Sequence, residues 1–261
     1  METYSLGQRA AAEVLGTALL VLVGPGSVVA TLVLAGDSTP AITGADLLGI
    51  SFAFGLIITA LVYALGKVSG CHINPAVTFA LASTKRFPWR EVPTYWAAQV
   101  LGAVLGALAI WAVFASTAID LGMGQTSFNE DTATWAQAMF AEGIGTFMLI
   151  FAILGIVDKR SPGELAGIVI GGVVVAIIMI IGPLTGASLN PARAFGPELV
   201  SAIGGGVTHW GQLVPVYILP ALVGGGLAAF IYDFLAEPRK VPAPIKDAVT
   251  HPDPGNVAAA K

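Results

Sequence analysis

Residues 69–76 read SGCHINPA, and residues 185–192 read TGASLNPA. Both stretches end in Asn-Pro-Ala, and the six residues of these two motifs are Asn74, Pro75, Ala76, Asn190, Pro191 and Ala192. This order is typical of a helix beginning, because asparagine favours the N-cap position and proline, which has no N–H to leave unpaired, favours the first helical position. The two stretches therefore predict helices that begin at Pro75 and Pro191.

The composition around these stretches is that of a membrane protein. Hydrophobic residues make up 56% of the 261 residues and charged residues only 11%, whereas soluble domains carry about 25% charged residues. A helix needs about 20 apolar residues to cross the hydrocarbon of a bilayer. Six stretches are of about that length, and they lie near residues 10–34, 46–66, 92–116, 134–157, 165–182 and 211–235.

The chain also repeats itself. A second pair of similar stretches precedes the Asn-Pro-Ala segments in the same order, AEVLGT at residues 12–17 and AEGIGT at residues 141–146. Two ordered matches indicate two related halves, about 8–116 and 134–236. Each half has three spans, and an odd number of spans inverts the second half relative to the first. We predict an all-α membrane protein with six transmembrane helices and two re-entrant half-helices in an inverted repeat.

The positive charges predict the orientation in the membrane. Apart from Arg193, every lysine and arginine falls on one side of the six-span arrangement, and the connections 35–45 and 117–133 contain none. Because basic residues favour the cytoplasmic side, both termini are expected in the cytoplasm of a cell-membrane protein. Residues 1–236 form the predicted membrane domain, and the proline-rich, charged segment 237–261 is expected to be a disordered tail. The net charge of −4 gives no reason to expect nucleic acid as a partner.

The two Asn-Pro-Ala segments are expected to meet at the membrane centre. The apolar runs 75–84 and 191–200 would reach about 15 Å as helices, half of a hydrocarbon core about 30 Å thick. Their N-termini would face each other, and each carries about half a positive elementary charge that repels cations. The amides of Asn74 and Asn190 could donate hydrogen bonds to a neutral solute. Carbonyl groups of eight loop residues could accept them: Gly70, Cys71, His72, Ile73, Gly186, Ala187, Ser188 and Leu189. This pattern indicates a narrow pore for water or small polyols in the lipid bilayer.

Three charged residues are expected near the middle of the membrane. Arg193 follows Asn190 by three residues, and an arginine at membrane depth indicates a solute pathway. Glu13 and Glu142 occupy equivalent places in the repeat. We expect them to anchor the re-entrant loops by accepting N–H bonds, with a proton relay as the alternative.

No pattern of an enzyme is visible in the sequence. The single cysteine, Cys71, excludes a multi-cysteine metal site, and His72 lacks the Cys/His neighbours of a metal centre. No nucleophile motif, phosphate loop or dinucleotide fingerprint appears, so neither metal nor cofactor is expected. A passive pore, an ion-coupled transporter and a non-transporting scaffold are the competing interpretations. The transporter would place ion-binding charges at its centre, where this sequence has only the three residues above.

These motifs resemble those of the aquaporin or major intrinsic protein family along residues 5–236. The resemblance rests on both Asn-Pro-Ala segments, on the arginine after the second, and on the repeated Ala-Glu-x-x-Gly-Thr. It implies six spans and two half-helices, a passive channel for water and small neutral solutes, and commonly a homotetramer with one pore per subunit.

The family's selectivity constriction takes one residue from each of four places. By their spacing from the motifs these are Phe54, Ile178, Ala187 and Arg193. Water-selective members often have histidine where this chain has Ile178. Glycerol facilitators usually have aspartate where Ala194 stands. The ring is most similar to those of archaeal and plant vacuolar aquaporins, and it implies water passage with weaker passage of glycerol, urea or ammonia. A glycerol facilitator is the alternative.

Overall fold

The computed structural model describes residues 4–237, and helices account for nearly all of its regular structure. The helices are α1 (Leu6–Ala35), α2 (Gly44–Ser69), α3 (Pro75–Ser83), α4 (Val92–Phe114), α5 (Ser116–Asp120), α6 (Trp135–Val157), α7 (Ala166–Thr185), α8 (Pro191–Ile203), α9 (Trp210–Gln212) and α10 (Leu219–Ala236). A π-helical segment, Leu213–Ile218, joins α9 to α10. No strand occurs within residues 4–237. The predicted all-α class is confirmed.

Six of these segments are long and apolar enough to cross a membrane. They are Leu6–Ala35, Gly44–Ser69, Trp89–Phe114, Trp135–Val157, Gly163–Thr185 and Trp210–Ala236. Each half of the chain contains three of them and one half-helix. The expected tail, 237–261, lies outside the described residues except for Glu237.

Local capping explains where the spans differ from their predicted limits. Helix α1 begins four residues before the predicted start because the Ser5 side chain accepts from the backbone of Gln8, whose own side chain accepts from Ser5 N–H. This capping box satisfies two otherwise unpaired donors. Helix α7 continues past the predicted residue 182 to Thr185 and ends at Gly186, which adopts a left-handed conformation with φ of 77°.

Both half-helices begin at the predicted prolines. Asn74 caps α3 and Asn190 caps α8, each in an extended backbone conformation with proline as the first helical residue. Helix α8 continues three residues beyond the predicted 200 and ends at Gly204. With 9 and 13 residues, neither half-helix is long enough to cross a hydrocarbon core about 30 Å thick.

Close helix packing brings the halves together. Helix α1 lies along α4, α6 lies along α10, and α2 lies along α7 between the halves. A Cβ on Gly102 or Gly106 would overlap backbone carbonyls of α1, and one on Gly171 would overlap the backbone of α2. Glycine at these positions lets the backbones approach closely, as in other membrane bundles. The packed helices enclose the two half-helices at the centre.

The outer surface of the bundle is apolar. Phe140 is 71% exposed and Ile180 is 73% exposed, and large exposed apolar side chains occur on all six long segments. Such a surface is unfavourable in water and compatible with the hydrocarbon of a bilayer.

Candidate pore and selectivity ring

The two asparagines join the half-helices at their N-termini. The Oδ1 of Asn74 accepts from Ala76 N–H at 2.8 Å, and its Nδ2 donates to the carbonyl of Leu189 at 2.8 Å. Asn190 reciprocates, because its Oδ1 accepts from Ala192 N–H at 3.0 Å and its Nδ2 donates to the carbonyl of Ile73 at 2.8 Å. A carboxamide has two N–H donors. Each asparagine therefore keeps one N–H with no protein acceptor within residues 4–237.

The alanines of the two motifs lie behind the asparagines. Ala76 and Ala192 are each 0% exposed, and Ala192 packs in a cluster with residues of α1 and α4 such as Val21 and Ala103. Neither alanine lines the cavity described below, and neither do Pro75 and Pro191. Among the six motif residues, only the asparagines therefore line the cavity, while the prolines and alanines begin and pack the half-helices.

Glu13 holds the first re-entrant loop from behind. This buried carboxylate accepts from the Ser69 hydroxyl at 2.7 Å, from His72 N–H at 2.9 Å and from Ile73 N–H at 2.6 Å. Its fourth donor is Gln99 Nε2 at 2.8 Å. A fully buried carboxylate is tolerated only when such donors replace its lost hydration. The loop backbone is therefore fixed on its N–H side.

Glu142 has the same position in the second half. It accepts from the Thr185 hydroxyl at 2.6 Å, from Ser188 N–H at 2.9 Å and from Leu189 N–H at 2.9 Å. Like Glu13, it is 0% exposed. All of the oxygens of the two carboxylates are thus occupied by groups of the loops and their neighbours, an arrangement that fixes backbone.

The opposite side of each loop presents carbonyl groups. The carbonyls of Ile73 and Leu189 accept from the asparagine amides. Among the described residues, no protein donor reaches the other six predicted carbonyls, those of Gly70, Cys71, His72, Gly186, Ala187 and Ser188. Buried carbonyls nearly always find a partner, and all of these residues except Gly186 line the cavity described below.

An unusual backbone conformation accompanies this exposure of carbonyls. Positive φ angles occur at Cys71 (49°) and Ile73 (43°), and at the equivalent Ala187 (46°) and Leu189 (55°). Non-glycine residues adopt this region rarely and at an energetic cost. The hydrogen bonds to Glu13 and Glu142 hold the loops in a conformation that their residues do not favour.

His72 is fixed within the first loop. Its Nδ1 lies 3.0 Å from the Thr78 hydroxyl, and its ring packs between Phe87 and Tyr95 at centroid distances of 4.9 and 5.0 Å. Within residues 4–237 there is no group of three His, Cys, Asp or Glu side chains able to hold a metal. The surroundings of His72 are those of a packed side chain.

The four predicted ring residues line one cavity of about 640 Å³ together with both asparagines. Phe54, Ile178, Ala187 and Arg193 are 6%, 4%, 2% and 2% exposed. The cavity continues from this ring past the asparagines to Lys67 and Glu164, where α2 ends and α7 begins. The predicted ring residues are thus brought together along a single path.

Arg193 has few protein partners for a buried cation. Its Nη1 donates to the carbonyl of Gly124 at 3.1 Å, and its guanidinium carbon lies 5.4 Å from the centre of the Phe54 ring. Its Nε is buried without an acceptor in the described part of the chain. Among the described residues, the guanidinium is therefore held by a protein acceptor on one side only.

Gly124 was not identified from the sequence. It belongs to a short 3-10 turn, Gly122–Gly124, in the connection between the halves. Its φ is 64°, and a Cβ would overlap the carbonyl of Pro25 in α1. The letters GMG indicate only a loop, and nothing local to them shows that the Gly124 carbonyl contacts a residue 69 positions later.

Comparison with known proteins agrees with this geometry. The family model described as "Major intrinsic protein" matches residues 1–232. The chain belongs to the major intrinsic protein family. It is a multi-pass membrane protein with six long apolar segments. Its family membership indicates a channel for water and small solutes rather than an enzyme.

Several relatives carry the aquaporin name. "Aquaporin AqpM" of Methanothermobacter marburgensis is 45% identical over 243 residues, which cover 88% of this chain and 98% of that protein. "Probable aquaporin AqpM" of Archaeoglobus fulgidus is 44% identical over 247 residues, 90% of this chain and 99% of that protein. "Probable aquaporin NIP4-2" of Arabidopsis thaliana is 37% identical, and the match covers 88% of this chain and 75% of that protein. The predicted likeness to the family and to its archaeal members is confirmed.

A solved structure has the same fold. The aquaglyceroporin from Plasmodium falciparum superposes with a TM-score of 0.76 at 28% identity, covering 89% of this chain and 97% of that one. The predicted inverted-repeat channel fold is therefore confirmed.

Proposed function

We propose that this channel conducts water rapidly and small neutral solutes such as glycerol, urea and ammonia more slowly, while excluding ions and protons. The observation that carries the proposal is the composition of the ring formed by Phe54, Ile178, Ala187 and Arg193, all of which line the cavity. One charged donor faces apolar walls there. Ile178 offers no hydrogen bond, so a solute with several hydroxyl groups loses more hydration than water does.

Ion exclusion follows from charge at the narrow part of the path. The N-termini of α3 and α8 face each other across the paired asparagines, and each contributes about half a positive charge. Arg193 adds a full charge at the ring. A cation passing there would lose water and meet positive potential from three sources.

Neutral solutes find both kinds of hydrogen-bonding group. Asn74 and Asn190 each have one amide N–H without an acceptor in the described chain, and three carbonyls in each re-entrant loop lack protein donors there. Apolar residues such as Val174 and Ile170 lie elsewhere on the cavity wall. A file of water is satisfied along the polar strip without being bound tightly.

A glycerol facilitator is the second candidate. It is favoured by the likeness to a solved aquaglyceroporin at 28% identity. Ile178 is bulky where facilitators often have a small residue, and Ala194 replaces the aspartate usual in them. We therefore rank it second.

We also propose a homotetramer of single domains, 1–236, in the cell membrane with both termini in the cytoplasm. The apolar outer surface offers area for contacts between subunits as well as with lipid. Four ion pairs among the described residues lie at the end assigned to the cytoplasm, and they are Arg9–Glu91, Arg90–Glu91, Arg86–Asp233 and Arg160–Asp158. This orientation agrees with the bias of basic residues.

Stopped-flow light scattering of proteoliposomes tests the function. After a step in sucrose, we expect shrinkage much faster than in protein-free vesicles; after a step in glycerol, we expect the same shrinkage followed by slow re-swelling. Glycerol re-swelling as fast as water loss would make the chain a facilitator. Shrinkage equal to that of empty vesicles would exclude an open pore.

A further inference from the structure

The segment from Gly124 to Phe128 is held at both ends by residues far along the chain. Beyond the turn that ends at Gly124 it has neither helix nor strand structure, yet Phe128 is only 4% exposed. The Gly124 carbonyl accepts from Arg193. Among residues 4–237 this is the only hydrogen bond that the Arg193 side chain makes with protein. Any contact that holds the segment in place therefore also holds the acceptor of that bond.

Gln212 holds the far end with two hydrogen bonds. Its Oε1 accepts from Phe128 N–H at 3.0 Å, and its Nε2 donates to the Phe128 carbonyl at 3.0 Å. One carboxamide thus satisfies both backbone groups of one residue, as a neighbouring strand would. Gln212 is 9% exposed, so these bonds are largely protected from competition with water.

The near end is held in a different way. Gln125 Nε2 donates to the carbonyl of Val207 at 3.0 Å, and Gly124 packs against the carbonyl of Pro25. Between these ends, Thr126 packs against Gly186 of the second re-entrant loop. Four residues cannot extend beyond about 14 Å, so one short segment joins the anchored Phe128 to Gly124.

Arg193 is sensitive to such a shift. Its Nε has no acceptor in the described chain, and its guanidinium also contacts the face of Phe54, 5.4 Å away. A cation–π contact of this kind restrains direction weakly compared with a hydrogen bond to a charged donor. The position of the guanidinium in the ring is therefore set mainly by the Gly124 carbonyl.

We propose that Gln212 is a positioning residue of the selectivity ring: by clamping both backbone groups of Phe128 it fixes the Gly124 carbonyl and, through it, Arg193. The proposal rests on the proposed function, because it assigns the ring a part in discriminating water from glycerol. Gln212 itself does not line the cavity, so its effect on solutes is indirect.

A double-mutant cycle tests the coupling. Gln212→Leu keeps the approximate size of the side chain and removes both bonds. We expect it to raise the ratio of glycerol to water permeability by about threefold, a modest coupling for residues in one network. In an Arg193→Val background, the same change should leave the ratio unaltered. Gln137→Leu is the matched control, since the Gln137 side chain bonds only to Thr134 at the start of α6 among the described residues and should not move the ratio.

Hydrogen exchange gives a readout that does not depend on transport. The Phe128 amide should exchange faster in Gln212→Leu and remain protected in Gln212→Glu, which keeps an acceptor for that N–H. Because Gln212→Glu retains one of the two bonds, we expect its permeability ratio to lie between those of the wild type and Gln212→Leu. This variant replaces Gln212→Leu in the experiment if the leucine variant does not fold.

An unchanged ratio in folded Gln212→Leu or Gln212→Glu would overturn the proposal. So would an equal rise of the ratio with and without Arg193, because Gln212 would then act by another route. The wild-type vesicles separate this result from a failure of the proposed function. If wild-type vesicles show no protein-dependent water flux, the proposed function is wrong. If hydrogen exchange at the Phe128 amide is unchanged in Gln212→Leu, Gln212 does not hold the Phe128 backbone, whatever the channel conducts.

Discussion

The two re-entrant loops are held by the same set of contacts, but the residues around those contacts differ. Each has a buried glutamate behind it, an asparagine cap, and a tyrosine whose hydroxyl donates to the last carbonyl of the preceding helix. Tyr95 donates to the Ser69 carbonyl at 2.7 Å, and Tyr217 donates to the Thr185 carbonyl at 3.0 Å. The features needed to build a half-helix are therefore present twice.

The two halves differ in the residues next to these shared contacts. Four residues after Tyr95 stands Gln99, which donates to Glu13 and to the Thr78 hydroxyl. Four residues after Tyr217 stands Ala221. The first loop is thus embedded in a larger polar network, and the second has a smaller one.

The third residue after each asparagine differs most. It is Val77 in the first half and Arg193 in the second, and both line the cavity. An inverted repeat would place equivalent rings on both sides of the membrane centre. Here only one side has the charge, so the two halves share a backbone but differ in the side chain that they place at this point of the cavity.

Removing that charge should have the largest effect. Arg193→Val gives the second loop the residue of the first, and we expect glycerol permeability to rise about tenfold, as a barrier lowered by about 1.4 kcal/mol would produce. Water permeability should change less, and a cation or proton leak should appear in a dye-based assay. Val77→Ala is the counterpart control and should leave the ratio unchanged. A selective, leak-free Arg193→Val channel would contradict the assigned ring.

A change in the polar network should have a moderate effect on stability. Gln99→Ala makes the first half resemble the second, with Glu13 retaining three donors. We expect the free energy of unfolding in detergent to fall by about 1–2 kcal/mol, since a buried carboxylate loses a donor. The buried Gln99 Oε1 has no partner in the described chain, and its removal offsets part of the loss. An unaltered thermal midpoint would mean that the network adds nothing to stability.

The smallest effect is expected from Cys71, the counterpart of Ala187. Cys71 lines the cavity and is the only cysteine of the chain. Cys71→Ser and Cys71→Ala should conduct water like the wild type, whereas a mercurial should block only the wild type. A block that persists in Cys71→Ser would refute the assignment. Insensitivity of the wild type would mean that Cys71, a residue that is 8% exposed, acts only as a small packed group.

The start of each half-helix could be predicted because it depends on neighbouring residues. Asn-Pro fixes a cap and a first turn locally, so Pro75 and Pro191 begin helices as expected. The ends were less accurate. Helix α7 extends to Thr185 because its stop is the left-handed Gly186, a signal that the fall in hydropathy near residue 182 obscures.

The partners of the ring residues could not be predicted. Gly124 lies in the connection between the halves, and Gln212 lies at the start of the sixth span. The Gly124 carbonyl meets a side chain 69 residues away, and the Phe128 backbone meets Gln212 across 84 residues. Every residue has a backbone carbonyl, so a single sequence does not show which carbonyl accepts a hydrogen bond from a distant side chain.

The sequence by itself determined the membrane environment, the six spans, the inverted repeat and the identity of the half-helix caps, because hydropathy, helix capping and repetition are local properties of the chain. Only the tertiary structure decided that each asparagine amide donates to the carbonyl of the opposite loop, that three carbonyls per loop have no protein donor among the described residues, and that Arg193 donates to Gly124. These contacts join residues far apart in the chain. Their distances follow from how the helices pack.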